Sequence, residues 1–501
     1  MWTLTVVIII LLWNIIYRLK NRRIIALFNQ LKPESFSLPI VGHSYLFLGS
    51  GEDRMSAFNK IGKEAYKKGG LIAHWQGSRL FVVISDAAAA EVALKTCLEK
   101  DDVIMEIFNE LTGNGSIFAP VHVWRPRRKI LAPTFSPKNL NNFVQVFARQ
   151  SDIMVKQLKS AAGKTTFSIW KYLTTYTMDS VCETTLDVKI GAQQHPQHPF
   201  LRAFEDICHI ASKRVCQPWL YKKCVYRILS RNKFLDHDRL YKFTFITQII
   251  SSKLETMKKE KHDIGDNKGT KVSMKTFLEL LVESSGGEKG YSNLELREET
   301  LVIVIAGTDT SAVGLGFSIL MLAKHPEVQE KVYQELQEVF ENSDRPVTQE
   351  DLPRLKYLDV VIRESLRLYP PVPFIVRKVD KDVTLPSGVT LVEGCALFVS
   401  IWSIHRNPSH WGEDAEQYRP ERFLDTPLKH PAAFMPFSNG SRNCLGQQYS
   451  MMSMKTAIAT LLRQYRVRPR PDDDNVKALR VKFDIMLKDV HNFEVQLDLR
   501  S

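Results

Sequence analysis

The sequence predicts a single large, mainly helical domain with a small β region toward its amino-terminal side, preceded by an apolar membrane anchor. Three observations carry that expectation. Helical periodicity dominates after Ala87, β-branched runs are short and confined to 71–85 and 383–402, and residues 2–17, WTLTVVIIILLWNIIY, are almost wholly apolar. With 501 residues and 44 % apolar content the chain can bury a large core. Its net charge of +13 suits an anionic partner. Zinc-finger spacing, RNP-type aromatic motifs and a basic region leading into heptads are all missing, so nucleic acid is not an expected partner.

Residues 1–23 are expected to form the anchor, because the apolar run is followed at once by Arg18, Lys20, Arg22 and Arg23. A cleaved signal peptide would carry its charge before the apolar run, and the positive-inside rule leaves the rest of the chain cytosolic. Pro33, Pro39 and Gly42 mark residues 24–45 as a hinge, and the remaining 46–501 as one domain. LIAHWQGSRLFVVIS (71–85) reads as a hairpin around Gly77-Ser78. The polar, glycine-rich stretch 258–290 reads as surface loop around a short helix.

Ser292 and Glu295 form a capping box that opens the next element, LELREETLVIVIAGTDTSAVGLGFSILMLAKH. A helix of roughly 33 residues is about 50 Å long and spans a globule. Asp309 in its middle argues against a second membrane helix. A later helix ends before Pro370-Pro371. Strand-like runs follow at 383–386, 389–392 and 395–402.

The seven cysteines are scattered and free of CxxC pairs, which excludes a disulfide framework and points to a reducing compartment. Cys444 stands apart. It lies in FSNGSRNCLG, just before an amphipathic helical pattern, where helix N–H groups favour a thiolate. Gly440 permits a tight turn, Gly446 lets a flat group approach the backbone, and Arg442 can pair with a carboxylate on whatever brings a metal. His195 and His198, and His405 with His410, lack a ligand pattern and read as surface or turn residues. VCQPWLYKKCVYRIL (215–229) reads either as a membrane-resting segment or as an ordinary amphipathic helix.

Phe437, Gly440, Arg442, Cys444 and Gly446 together match FxxGxRxCxG, and the chain resembles the cytochromes P450. The resemblance covers essentially the whole sequence and is strongest to microsomal insect members of the clan that includes the fatty-acid ω-hydroxylases. It implies a P450 fold holding haem b, with Cys444 as axial iron ligand and no other covalent attachment. Trp124, Arg128, Arg377 and Arg442 would meet the haem propionates. Glu364, Arg367 and Arg422 would form a buried structural network. Gly307 would leave space for dioxygen, and Asp309 with Thr310 would deliver protons. Ile305, Ala306, Val372 and Ile375 would line the substrate pocket. Arg125, Arg127 and Lys129 would be a solvated basic patch suited to an acidic flavoprotein.

The implied activity is oxygen insertion into a small lipophilic molecule: a fatty acid, pheromone, terpenoid or xenobiotic. NADPH–cytochrome P450 reductase, with cytochrome b5 as a second donor, would supply electrons at the cytosolic face of the endoplasmic reticulum. A haem-thiolate isomerase or dehydratase, and a membrane-tethered carrier, are the alternatives; the Asp309-Thr310 pair favours the oxygenase. Many ω-hydroxylases of the clan carry at position 306 a glutamate that can form an ester with haem. Ala306 cannot.

Overall fold

The computed structural model describes residues 19–195, 199–230, 245–252, 255, 276–284, 291–341, 343–425, 427–472 and 478–500. The apolar run 2–17 and His198 lie outside them, and of the polar 258–290 stretch they include the short helix Phe277–Ser284.

Six helices position the site: α1 (Val121–Leu131), α2 (Pro137–Leu158), α3 (Trp170–Leu186), α4 (Asn293–Lys324), α5 (Lys356–Leu368) and α6 (Gln447–Gln464). The capping box opens α4 as the sequence indicates: Glu295 N–H donates to Ser292 Oγ at 3.3 Å, and Ser292 N–H to the Glu295 carboxylate at 2.8 Å. Being apolar on nearly every side, α4 packs against α3, α5 and α6 at once. It is long and apolar enough to cross a membrane, yet 78 % of its apolar window is buried inside the protein, which makes it the core helix.

The β structure is more dispersed than the sequence suggests. The expected hairpin forms β1 (Leu71–Gln76) and β2 (Arg79–Ile84), in register from Leu71↔Ile84 to Gln76↔Arg79. After the short β3 (Phe167–Ser168), which belongs to another sheet, come β4 (Phe374–Lys378), β5 (Val383–Thr384), β6 (Thr390–Leu391) and β7 (Ala396–Ser400); β4 and β7 complete the hairpin's sheet, while β5 and β6 pair with each other. The strand order is β1-β2-β7-β4, with β2 and β7 parallel. The carboxyl end adds β8 (Tyr465–Arg468), β9 (Val481–Asp484), β10 (Met486–Asp489) and β11 (Glu494–Leu499), so the β region is not confined to the amino-terminal side.

Residues 22–30, divided by the sequence reading between anchor and hinge, form one helix with Leu27 buried against the sheet. The chain after it is pinned rather than loose. Ala73 N–H donates to Leu31 O at 2.9 Å, and His43 N–H to Trp75 O at 2.7 Å. In the 215–229 stretch a turn at Pro218–Leu220 separates the preceding helix from the short helix Lys223–Ser230, so the stretch is not one amphipathic helix.

Candidate functional site

A cavity lies between α4 and the loop that precedes α6. Its α4 wall is one broad face: Ile303, Ala306, Gly307 and Thr310, spaced i, i+3, i+4 and i+7, are flanked by Glu299, Val302 and Ser311. Ile305 and Asp309, four residues apart, occupy another face. Ile305 is packed with Leu278, Leu281 and Leu301 and does not line the cavity, and Asp309 is likewise turned away. Thr310 Oγ1 donates to Ala306 O at 2.6 Å, the local bond a helical threonine makes by default. A Cβ on Gly307 would come within 2.5 Å of Val181 Cγ2, so close packing of α3 on α4 already requires a glycine there.

On the opposite wall, alternation along β4 turns Ile375 and Arg377 to the same side, and both line the cavity together with Val372. Trp124 and Arg128 reach it from α1. Trp124 lies between two guanidinium groups, with Arg442 at 4.6 Å and Arg128 at 6.0 Å from its ring.

The 437–446 loop folds around backbone constraints. Gly440 has φ +74°, and a Cβ on it would meet Leu94 O at 2.5 Å, so its glycine serves a turn pressed against the chain at Leu94. Cys444 N–H donates to Phe437 O at 2.9 Å, closing the loop. Gly446 caps α6 and lines the cavity; a Cβ there would have only Phe135 nearby, at 3.9 Å, leaving open space over the backbone. The Cys444 side chain is exposed onto the cavity, with protein closely packed around it. Burial pushes it above the ordinary thiol value, against the pull of the Gly446 N–H and Arg128. The helix end alone therefore does not ionise this sulfur; a coordinating metal cation deprotonates a thiol outright.

Four cations converge on the cavity: Lys100, Arg128, Arg377 and Arg442. Arg128 donates to Asn443 O at 2.7 Å and Asn443 Oδ1 at 2.6 Å. Arg442 donates to Leu98 O at 2.9 Å and Ala119 O at 2.5 Å. Arg377 donates to Val376 O at 3.1 Å, while its buried Nε has no partner. Burial and the neighbouring Arg442 push Arg377 down to about 9, and burial pushes Arg442 to about 10. Lys100 falls well below 10.5 for the same reasons, burial first and then Arg377 and Arg442. Among the described residues none of the four forms an ion pair, an arrangement that calls for an anionic occupant. A planar group carrying two carboxylates and a metal fits this donor set. Lys100 escaped the sequence reading, because an isolated lysine carries no local signature.

Behind the loop, Glu364 accepts from Arg367 Nε at 2.6 Å, Arg367 Nη2 at 2.7 Å and Arg422 Nε at 2.9 Å, with the Glu364 and Arg367 side chains fully buried. Arg367 also donates to His405 O and Ala415 O, at 2.8 and 2.6 Å. His405 lies in a turn, as expected, but not at the surface: it is buried, and burial lowers it to about 3, so it is neutral. Its Nδ1 donates to Arg367 O at 3.0 Å, and its Nε2 accepts Met435 N–H at 2.9 Å, joining the network to the segment that enters the Cys444 loop. His195 is exposed. Arg127 also departs from expectation. Arg125 and Lys129 are exposed, but Arg127 is buried, with Nη1 2.7 Å from Glu299 and Nη2 2.6 Å from Glu295. A lone arginine in a basic run does not reveal the carboxylates that meet it from a helix 170 residues later.

The cytochrome P450 family model matches residues 32–493. Cytochrome P450 4V2 from Mus musculus is 32 % identical over 471 residues, covering 92 % of this chain and 88 % of that protein. Cytochrome P450 4d2 from Drosophila melanogaster is 32 % identical over 472 residues, 92 % of each. Cytochrome P450 4c21 from Blattella germanica is 32 % identical over 449 residues, 87 % of each. With a match spanning nearly all of the globular chain and relatives in both mammals and insects, the chain belongs to the cytochrome P450 family, as a haem b monooxygenase with a cysteine thiolate on the iron.

Proposed function

We propose that this enzyme hydroxylates or epoxidises a small lipophilic molecule, in the range of fatty acids, pheromones, terpenoids and xenobiotics. The observation that carries this reading is the apolar wall of Ile117, Val302, Ile303, Ala306, Val372 and Ile375, facing the same cavity as the Cys444 thiol. Bound haem supplies the reductive activation of dioxygen and the transfer of one oxygen atom. The chain's own residues do the rest. Cys444 is the iron ligand; Arg128, Arg377, Arg442 and Trp124 hold the propionates, with Lys100 beside them. Glu364, Arg367 and Arg422 keep the loop behind Cys444 rigid, and Phe437, Gly440 and Gly446 shape it. Ala306, Val372 and Ile375 exclude water and orient the substrate. Thr310 carries a proton on Oγ1 at the cavity face, replenished through the Asp309 carboxylate.

Residues 1–23 would anchor the catalytic domain 46–501 to the endoplasmic reticulum, through the 24–45 segment, with the domain on the cytosolic side. Exposed apolar side chains support a membrane-facing surface. Phe36 and Ile40 are 70 and 92 % exposed. NADPH–cytochrome P450 reductase, with cytochrome b5 as a second donor, would deliver electrons, steered by exposed cations such as Arg125 and Lys129.

The test is turnover. Holoenzyme in vesicles with the reductase and NADPH, offered a panel of those four lipophile classes, is expected to give oxygenated product from at least one class. No NADPH-dependent product from any of them would contradict the reading.

A further inference from the structure

Of the ionisable side chains on α4, Glu299 lines the cavity. It stands one turn before Ile303, on the face that carries Ala306 and Thr310, and its side chain is 1 % exposed. Its two carboxylate oxygens are used unequally. Oε1 accepts three hydrogen bonds, from the N–H and Oγ of Ser116 at 2.9 Å each and from Arg127 Nη1 at 2.7 Å. Oε2 accepts none among the described residues. A buried carboxylate oxygen without a donor is costly, so Oε2 calls for one from the occupant of the cavity.

The surroundings fix both the place and the charge of this group. The segment that carries Ser116 is pressed onto α4: a Cβ on Gly113 would come within 2.3 Å of Glu298 Oε1, and one on Gly115 within 2.4 Å of Val302 Cγ2. Arg127 is already engaged, donating through Nη1 to Asn114 O and Glu299 and through Nη2 to Glu295. Two carboxylates therefore share one guanidinium, and Glu298 is buried beside them in sequence. This end of the cavity is negative and disfavours an anionic ligand. Lys100, the other charge in the wall not yet paired, belongs with Arg377 and Arg442.

We infer that Glu299 is a specificity-determining residue, whose Oε2 receives the hydroxyl of a lipophilic alcohol and discriminates against a carboxylate head. The inference rests on the proposed lipophile pocket and names the class of molecule it takes. Val302, Ile303 and Ala306 supply the apolar wall beyond the hydroxyl. From Glu299 to the proton-carrying Thr310 the α4 axis rises about 16 Å, at roughly 1.5 Å per residue. An extended chain covers about 1.2 Å per bond, so an alcohol of about twelve carbons spans the two.

The test is equilibrium binding to the haem-loaded enzyme, read from the ligand-induced Soret shift, with dodecanol, its methyl ether and dodecanoate as probes. The ether keeps the chain and the oxygen but has no proton to donate. The wild type is expected to bind dodecanol about tenfold more tightly than either of the others. Glu299→Gln is the matched variant. Ser116 and Arg127 are donors, so they hold the amide oxygen at the Oε1 position and leave the NH2 group at the Oε2 position. With a donor in place of the acceptor, dodecanol and the ether should bind within about twofold of each other, and dodecanoate should bind more tightly than it does to the wild type. Equal affinity of the wild type for dodecanol and the ether, dodecanoate as its tightest ligand, or an undiminished preference in Glu299→Gln would each overturn the inference and leave the lipophile pocket standing. Where Glu299→Gln loads no haem, the wild-type ratios of the three probes decide. No Soret shift with any probe would overturn the lipophile reading, and the inference with it.

Discussion

Glu364→Ala is expected to yield almost no haem-loaded enzyme. The substitution leaves Arg367, with a fully buried side chain, and Arg422, 5 % exposed, without the carboxylate that accepts three of their hydrogen bonds. Breaking a buried ion pair from one side costs about 3–5 kcal/mol, a large part of the roughly 5–15 kcal/mol that holds a domain folded. The damage also travels. Arg367 holds His405, and His405 accepts the N–H of Met435 at the entry to the Cys444 loop. The haem-to-protein ratio after purification checks this, with Arg363→Ala as control. Arg363 pairs with Asp359 on a half-exposed helix face, and its loss is expected to change stability by less than about 1 kcal/mol. Normal haem content in Glu364→Ala would show that the network does not support the site.

Arg377→Met is expected to move two quantities in opposite directions. In the haem-free protein Arg377 is a buried cation whose Nε has no partner and which is repelled by Arg442. Replacing it with an apolar side chain of similar length removes an uncompensated charge, so the haem-free protein should melt at a higher temperature. The same substitution removes a partner for a haem carboxylate. Haem release to an acceptor globin should accelerate about tenfold, corresponding to ~1.4 kcal/mol. Unchanged haem release would mean that Arg377 contacts no propionate. A lower melting temperature would mean that its guanidinium is satisfied without the cofactor.

How much of this was legible in the sequence depended on how far apart the cooperating residues lie. The Cys444 loop could be read because its glycines, arginine and cysteine are contiguous, and the α4 capping box because it spans four residues. The network of Glu364, Arg367 and Arg422 could be read because its spacing belongs to a family pattern. Sheet partners could not. Val83 pairs with Phe398, and nothing local in either segment announces a partner more than 300 residues away. The same limit hid Lys100 and the carboxylates around Arg127, each defined by a contact between distant segments. Ile305 is a different case. Its neighbours Ala306 and Gly307 face the cavity, and the 3.6-residue period, applied to Ile303, Ala306 and Thr310, places Ile305 on another face. Adjacency in sequence stood in for adjacency in space, as it did for Asp309 and Thr310. Gly307 and Gly440 carry a related lesson, since close protein packing at Val181 and at Leu94 already requires both glycines.

The most direct test of the whole account is the difference spectrum of the reduced, carbon-monoxide-bound protein, recorded beside Cys444→Ser. The wild type should show a Soret band at the thiolate position, and the variant should lose it. A wild type with only the histidine-type band, or a thiolate band that survives in Cys444→Ser, would contradict the assignment of Cys444 to the iron.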